Sequence, residues 1–261
     1  MSLSNAHLPL RHAPQPVRTI SLTQPLKWLS LAWRDFLSAP QIGLIHGGAA
    51  ALFAAALIYF AREHFWWLVG AFSASLLVAP ILSSGLYAVS RKLEREETMG
   101  MRTTWRLWAS FDSRLVLFGA LLALAGGGWM FTSASLIKLL SLHPVNTPAD
   151  FLRYVVLDQQ SWLFEIWLVG GGLLAAPVFA SVAVSLPLLV DQRITVLAAV
   201  LTSWRAVLAN PVPLALWAAV VTALMLVGFA TLMLGLIVVV PVIGHARWHA
   251  YRDLVVTEAG R

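Results

Sequence analysis

Residues 213–254 read PLALWAAVVTALMLVGFATLMLGLIVVVPVIGHARWHAYRDL, forty-two residues with no charged or titratable side chain before His245 and Arg247. An α-helix rises 1.5 Å per residue, so one straight helix of that length would run about twice the ~30 Å hydrocarbon core of a bilayer. The stretch therefore predicts two helices, Val212 to about Val227 and about Thr231 to Arg252, meeting at Gly228-Phe229. One helix or two decides whether the chain crosses a membrane five times or six.

The rest of the chain supports a membrane reading. Charged residues make up 11% and hydrophobic residues 59%, with mean hydropathy +0.77, against about a quarter charged in a water-soluble domain. Four more stretches are long and apolar enough to cross: Ile42 to Phe60, Phe65 to Val89, Leu115 to Ile137 and Leu163 to Val190. With six spans, fifteen of the eighteen Lys and Arg fall in segments on the side of the N-terminus, and only Arg62, Lys138 and Arg153 face the other side. With five spans the split falls to twelve against six. The positive-inside rule thus favours six, with both termini cytoplasmic, in a bacterial inner membrane. The first forty residues hold Pro14, Pro16, Pro25, Arg11, Arg18, Lys27 and Arg34 with no central apolar run, so they do not read as a cleavable signal peptide. Residues 1–22 are expected to be a disordered cytoplasmic tail, 23–255 the membrane domain, and 256–261 a C-terminal tail.

Three polar flanks share a dipeptide, at Trp33-Arg34, Trp105-Arg106 and Trp204-Arg205. Each lies in a segment that suits a surface helix. Leu26, Leu29, Trp33, Phe36 and Leu37 recur at i, i+3, i+7, i+10 and i+11, and Ile194, Leu197, Leu201, Trp204 and Leu208 at i, i+3, i+7, i+10 and i+14. Trp105, Trp108 and Phe111 give a shorter version. Such a stripe can sink into the headgroup boundary while the neighbouring Arg reaches phosphate. Each surface helix is followed by enough apolar sequence for a hairpin, which gives three repeats at about 23–93, 101–190 and 191–254. The exits agree in two of them: Pro80 precedes Arg91 and Leu93 by the same offsets at which Pro241 precedes Arg252 and Leu254. On the outer side, Thr147-Pro148-Ala149-Asp150 reads as an N-cap, a proline at the first helical position and an acid in the first turn, opening a short helix to about Asp158.

Several of these residues resemble a known family. Trp33-Arg34-Asp35-Phe36, Gly85-Leu86-Tyr87, Ser90-Arg91-Lys92-Leu93-Glu94, Ala206-Val207-Leu208-Ala209-Asn210-Pro211 and the run from Pro241 to Leu254 are similar to an uncharacterised bacterial family of integral membrane proteins, DUF2189. The resemblance extends over roughly Leu26 to Leu254, and its last block is the most specific. It implies membrane location and fold and carries no established activity. Some members bear an automatic label as cytochrome oxidase subunit I. That enzyme needs histidine ligands spread over several spans, and here only His46 sits deep in one.

The candidate residues are few. With no cysteine there is no disulfide, no thiolate metal site and no thiol nucleophile, and no phosphate-binding glycine loop, nucleophile elbow or zinc-protease helix is present. His46 is a titratable group inside a span, either bonded to a neighbouring carbonyl or to a serine such as Ser73, Ser75, Ser83 or Ser84, or part of a functional polar site. Glu165 reads as a headgroup-level acid or part of a proton path. His245 and His249, at i and i+4, are weak metal candidates, since two ligands are fewer than zinc takes from protein. The other reading makes their helix end an anchor, with Trp248 and Tyr251 at headgroup depth, Arg252 toward anionic lipid and Asp253 as partner of His249. Gly43-xxx-Gly47 reads as a helix-packing motif, and Gly126-Gly127-Gly128 and Gly170-Gly171-Gly172 predict a close approach of spans 3 and 4, or a broken helix around a substrate. The expectation is an all-α polytopic membrane protein, non-enzymatic and without a cofactor, a scaffold or accessory component. A small-solute transporter and a haem- or metal-binding accessory are the alternatives. Its partners are the bilayer, anionic headgroups and a further membrane protein or a second copy, and not nucleic acid, because the net charge of +6 is scattered along membrane flanks.

Overall fold

The computed structural model of the chain describes residues 10–61, 82–95, 112–158 and 160–256. Its elements are α1 (Gln24–Ser38), α2 (Pro40–Ala61), α3 (82–94), α4 (Ser113–Leu140), α5 (Pro148–Phe151, extended by a π turn over Leu152–Val156), α6 (Leu163–Val182), α7 (Ser185–Asp191), α8 (Val196–Ala209), α9 (Pro211–Ala230) and α10 (Leu236–Leu254). Among the described residues there is no strand beyond two isolated bridges. Trp105, Arg106, Trp108, Phe111, Ser73, Ser75, Pro80, Arg62 and most of the second expected span lie outside the described residues.

The last apolar stretch is two helices. The turn comes at Thr231–Gly235 rather than at Gly228-Phe229, with Leu232 (φ 53°) and Met233 (φ 71°) both left-handed. Gly228 serves the approach of the two helices instead: a Cβ there would lie 2.6 Å from Leu236, and one on Gly235 would lie 3.0 Å from the Gly228 Cα. The Thr231 hydroxyl closes the turn, donating to Gly228 O at 2.9 Å and accepting from the Gly235 N–H at 2.8 Å.

Among the described residues four helices are long and apolar enough to cross a membrane: Pro40–Phe60, Ser113–Leu140, Leu163–Asp191 and Pro211–Ala230. The sixth expected span, α10, does not meet that test, because His245, Arg247, His249 and Arg252 occupy its second half. Those positions are not offered to lipid. Side chains on every side of α10, from Leu236 through His245, Trp248 and Tyr251 to Leu254, are buried, and α1 and α2 are its principal neighbours. Gly43 and Gly47 are part of that packing. A Cβ on Gly43 would lie 3.4 Å from Pro241, and one on Gly47 would run into the backbone carbonyl of Ile237. The small-xxx-small motif thus lets α2 touch α10 at the main chain.

The glycine triplets do something else. A Cβ added at Gly127, Gly128, Gly170 or Gly172 would meet nothing within 4 Å, and at Gly171 only the Trp129 ring, at 3.1 Å. The α4–α6 contact runs instead through aromatic side chains, with Trp129 and Trp167 ring centroids 5.7 Å apart and the Trp167 indole donating to Ser133 Oγ at 2.6 Å. The close approach expected at these glycines is therefore not what joins the two helices. Farther along the same span the helix breaks between α6 and α7, where Pro187 cannot donate to the carbonyl four residues back. The Val184 N–H finds Ser203 Oγ on α8 at 3.2 Å, and Ser185 Oγ donates to Ala199 O at 3.1 Å.

The junctions α1–α2 and α8–α9 have the same backbone. Ala39 (φ −137°, ψ 57°) and Asn210 (φ −136°, ψ 53°) each stand before a proline that opens the next helix, as the clash with a following proline ring demands. Trp33 and Trp204 stand six residues before these two positions. The Thr147 cap is a capping box with Pro148 in the first turn, and the Asp150 carboxylate accepts from the Thr147 N–H at 2.9 Å. Asp112 caps α4 and pairs with Arg114 at 2.6 Å. Burial raises the Asp112 pKa, but hydrogen bonds and charge from Arg114, with the charge of Arg193, outweigh it and hold the carboxyl below its ordinary range.

Residues 10–22, expected to be disordered, form an ordered strap. Arg11 N–H donates to Arg193 O and Arg18 N–H to Leu254 O, each at 2.8 Å, and Val256 N–H donates to Pro16 O at 3.0 Å. Thr202 Oγ1 accepts from Gln15 N–H at 2.9 Å. The Asn210 amide holds the strap at two points, accepting from Ile20 N–H at 2.8 Å and donating to Arg18 O at 2.9 Å. Pro14 and Pro16 restrict the free segment and so lower the entropy lost on docking.

Candidate functional site

The face of α1 that turns inward carries Trp28, Ala32 and Phe36, spaced at i, i+4 and i+8, and Asp35 stands on its edge. On α10, His245 and His249 are one turn apart and turned to α1. Ser90, on α3, completes the cluster. Asp35 Oδ2 accepts from Ser90 Oγ at 2.5 Å and from His249 Nε2 at 2.9 Å. His245 Nδ1 lies 2.8 Å from Ser90 Oγ and 4.0 Å from Asp35 Oδ2. Ser90 is 1% and His245 0% exposed.

The hydrogen-bond roles follow from chemistry. A carboxylate only accepts, so Ser90 spends its single proton on Asp35 and must accept at His245. His245 therefore carries its proton on Nδ1, and a neutral ring then has its lone pair on Nε2. Among the described residues that buried nitrogen has no hydrogen-bond partner. The order of these groups is not that of an activated serine, in which the hydroxyl donates to histidine and the histidine to the acid.

Around the cluster, polar contacts join the ends of α3, α7 and α10. Glu94 accepts from Arg252 at 2.9 Å and from the Trp248 indole at 3.1 Å. Tyr251 donates to Asp191 at 2.7 Å and accepts from Gln192 at 3.2 Å, while Arg91 approaches Asp191 at 3.8 Å. Asp253 accepts from the Trp28 indole at 2.7 Å and from Gln24 at 2.6 Å.

These contacts correct the anchor reading. Trp248 is 1% and Tyr251 0% exposed, packed ring to ring at 5.5 Å, so they are core and not a headgroup belt. Arg252 serves Glu94. The acid that holds His249 is Asp35, and Asp253 faces α1. Among the described residues no three His, Cys, Asp or Glu side chains are grouped so as to hold a metal ion. Trp33 (46% exposed) and Trp204 (37%), with the exposed Arg34 and Arg205, do lie on the surface. The apolar stripe that reaches the surface is Leu26, Trp33 and Leu37 on α1, and Leu197, Leu201, Trp204 and Leu208 on α8. Phe36 and Ile194, expected on those stripes, face the core. Glu165 is exposed in the first turn of α6, where the helix dipole favours an acid. His46 is 7% exposed, with Nδ1 2.7 Å from Ile42 O in its own helix and Nε2 3.2 Å from Leu82 O.

Asp35, Ser90 and Glu94 stood in the sequence only within family-like runs, with no role assigned, and Asp191 was not singled out at all. One signal was readable: Asp35 is the first acid in the chain and shares the inward face of α1 with Trp28 and Ala32.

The sequence profile of a family described as "Predicted integral membrane protein (DUF2189)" matches residues 67–191. The resemblance drawn from the sequence holds there, a stretch that includes α4, α6 and α7, whereas the block from Pro241 to Leu254 lies outside it. No curated protein and no solved structure matches the chain.

Proposed function

On the footing of that family match, we propose that the protein is a six-span component of a bacterial inner membrane, without catalytic activity of its own, which acts as a scaffold or accessory subunit. Its three units of surface helix plus hairpin are gathered around α10, with both chain ends in the cytoplasm. The observation that carries this reading is the inverted distribution of polarity. The polar side chains of α1, α3, α7 and α10 bond one another at the helix ends, while exposed Leu and Trp stripes flanked by arginine face outward.

The pairing of residues 16–18 with 254–256 supports an even number of crossings, since bonded backbones share one side of a bilayer. The matched junctions at Ala39 and Asn210 support the repeat for the first and third units. The polar half of α10 is compatible with a crossing because protein surrounds it. Anionic lipid is the proposed surface partner of Arg34 and Arg205, and a membrane protein or a second copy that of the lipid-facing spans.

The absence of cysteine makes the test direct, because each introduced thiol is unique. In spheroplasts, a membrane-impermeant maleimide should label a cysteine at Leu142 and spare one at Val256. Labelling of both from outside would sink the six-span topology. Recovery of the same membrane protein at fixed stoichiometry in native-lipid particles supports a scaffold, whereas solute uptake by the purified protein alone would replace it with a transporter.

A further inference from the structure

We propose that α9 and α10 form a re-entrant hairpin, whose turn at Thr231–Gly235 ends among the acyl chains of the leaflet away from the chain ends and does not emerge on that face. This rests on the membrane placement above and sharpens it at the last hairpin, which dips into the bilayer and returns. Both chain ends stay on one face, as they would if the hairpin crossed and came back.

The hairpin is shorter than the helices beside it. α2 and α10 run antiparallel, with Gly43 on Pro241 and Gly47 on Ile237. Beyond Gly47, α2 continues to Ala61, about 21 Å farther from the chain ends. Beyond Ile237 there remains only the turn, coiled by i→i+3 bonds, so at a rise of about 2 Å per residue Leu232 lies within about 10 Å of Ile237 along the axis. The turn thus stops about 10 Å short of the end of α2.

α4 leads to the same depth. Arg114, in its first turn, donates to Gln192 O at 2.8 Å, and Gln192 donates to Tyr251 at 3.2 Å, which sets the head of α4 near the level of Tyr251. From there α4 runs 28 residues, about 42 Å. α10 covers the way from Tyr251 back to Leu236 in about 22 Å, and the turn adds at most about 10 Å. Charge marks the far ends of the longer helices, with Lys138 in the last turn of α4 and Glu165 in the first turn of α6. The hydrocarbon ends at the level of those charges, so the turn lies inside it.

The chemistry of the turn suits that depth. No charged or titratable side chain occurs between Arg205 and His245. Leu232 is 85% and Leu234 68% exposed, continuing the exposed apolar surface of α9 at Leu226, Val227 and Phe229. Left-handed backbone, which Leu232 and Met233 adopt, favours glycine or asparagine. Leucine and methionine there keep the turn apolar despite the strain. In hydrocarbon a backbone has to satisfy its own polar groups, because no water is present to do so. From Thr231 to Ile237 every N–H but that of Met233 donates within the turn, at 2.8–3.2 Å, one of them to the Thr231 hydroxyl. The connection at the far end of α4 is of the opposite kind, with His143, Asn146, Asp150, Arg153 and Asp158 in place of leucines.

The test uses the full chain with single cysteines, since it has none of its own. A membrane-impermeant maleimide is applied to spheroplasts and to inside-out membrane vesicles. Leu142→Cys and Val256→Cys should be labelled from opposite faces, whereas Leu232→Cys and Leu234→Cys should be labelled from neither until the membrane is dissolved and the protein denatured. In liposomes of phosphatidylethanolamine and phosphatidylglycerol, a nitroxide on Leu232→Cys should collide with oxygen far more than with a water-soluble nickel chelate. Labelling of Leu232→Cys from the face that labels Leu142→Cys would overturn the proposal, because the hairpin then emerges. Labelling from the face of Val256→Cys would overturn it because the hairpin never enters. A nitroxide shielded from oxygen and nickel alike would place a second copy or another protein on the turn instead of acyl chains, and would overturn it too. Should Leu232→Cys fail to fold, Leu234→Cys is read by the same outcomes. Labelling of Leu142→Cys and Val256→Cys from one face would be a different failure, that of the membrane placement itself, and would remove both readings.

Discussion

Glycine illustrates how little a residue type says without its neighbours. The triplets in α4 and α6 attract the eye in the sequence, yet a methyl group at Gly127 meets nothing, whereas at Gly47 it meets main chain. Gly47→Ala should therefore destabilise the fold by about 1–3 kcal/mol, since a backbone carbonyl cannot rotate aside as a side chain can. Gly127→Ala should be neutral or stabilising by up to about 1 kcal/mol, through lower helix entropy. Unfolding in mixed micelles distinguishes the two. Equal losses would show that α2 and α10 are not in backbone contact.

Helices were legible in the sequence where their signal is local. The N-cap at Thr147 and the division of the last apolar stretch depend on neighbours a few residues away. What could not be read is which side of a helix meets another helix. On α1 two apolar stripes compete, and Trp28, Ala32 and Phe36 go inward while Leu26, Trp33 and Leu37 remain exposed. The choice belongs to α10, which is distant in sequence, and so does the pairing of Asp35 with His249. Cysteines replacing Leu37 and Leu208 and carrying nitroxides should report the same depth, at the headgroup boundary. Labels in bulk water at either site would remove that helix from the membrane surface. At the head of α4, the Asp112–Arg114 pair carries a pH signature. Because its folded pKa is depressed, its contribution is present above the ordinary aspartate value of about 3.9 and is lost as the pH falls through the folded value. Melting of wild type and Asp112→Asn should differ by a constant amount above about pH 4 and converge below it. A gap that widened in acid would contradict the pairing.

For the molecule as a whole, the strap is what no periodicity foretold, because an extended segment with prolines carries no apolar repeat and draws its order entirely from partners elsewhere. Asn210 is its main fastening. Asn210→Ala leaves Ile20 N–H and Arg18 O without that partner and should cost ~1–3 kcal/mol. It should also expose the strap to proteolysis before the helices unfold. A strap that stayed resistant would mean that the backbone pairing with Leu254 and Val256 suffices.

The same strap sets an order of events during synthesis. Residues 10–20 leave the ribosome well before their partners at Arg193, Thr202, Asn210 and Leu254, which follow by nearly two hundred residues or more. Until then these pairings cannot form, and the earlier helices must enter the membrane without them. Docking of the strap is thus a late step with a high loop-closure cost. It records that α8, α9 and α10 have arrived in place, and a quality-control protease that recognises an unpaired N-terminal segment would read that record directly.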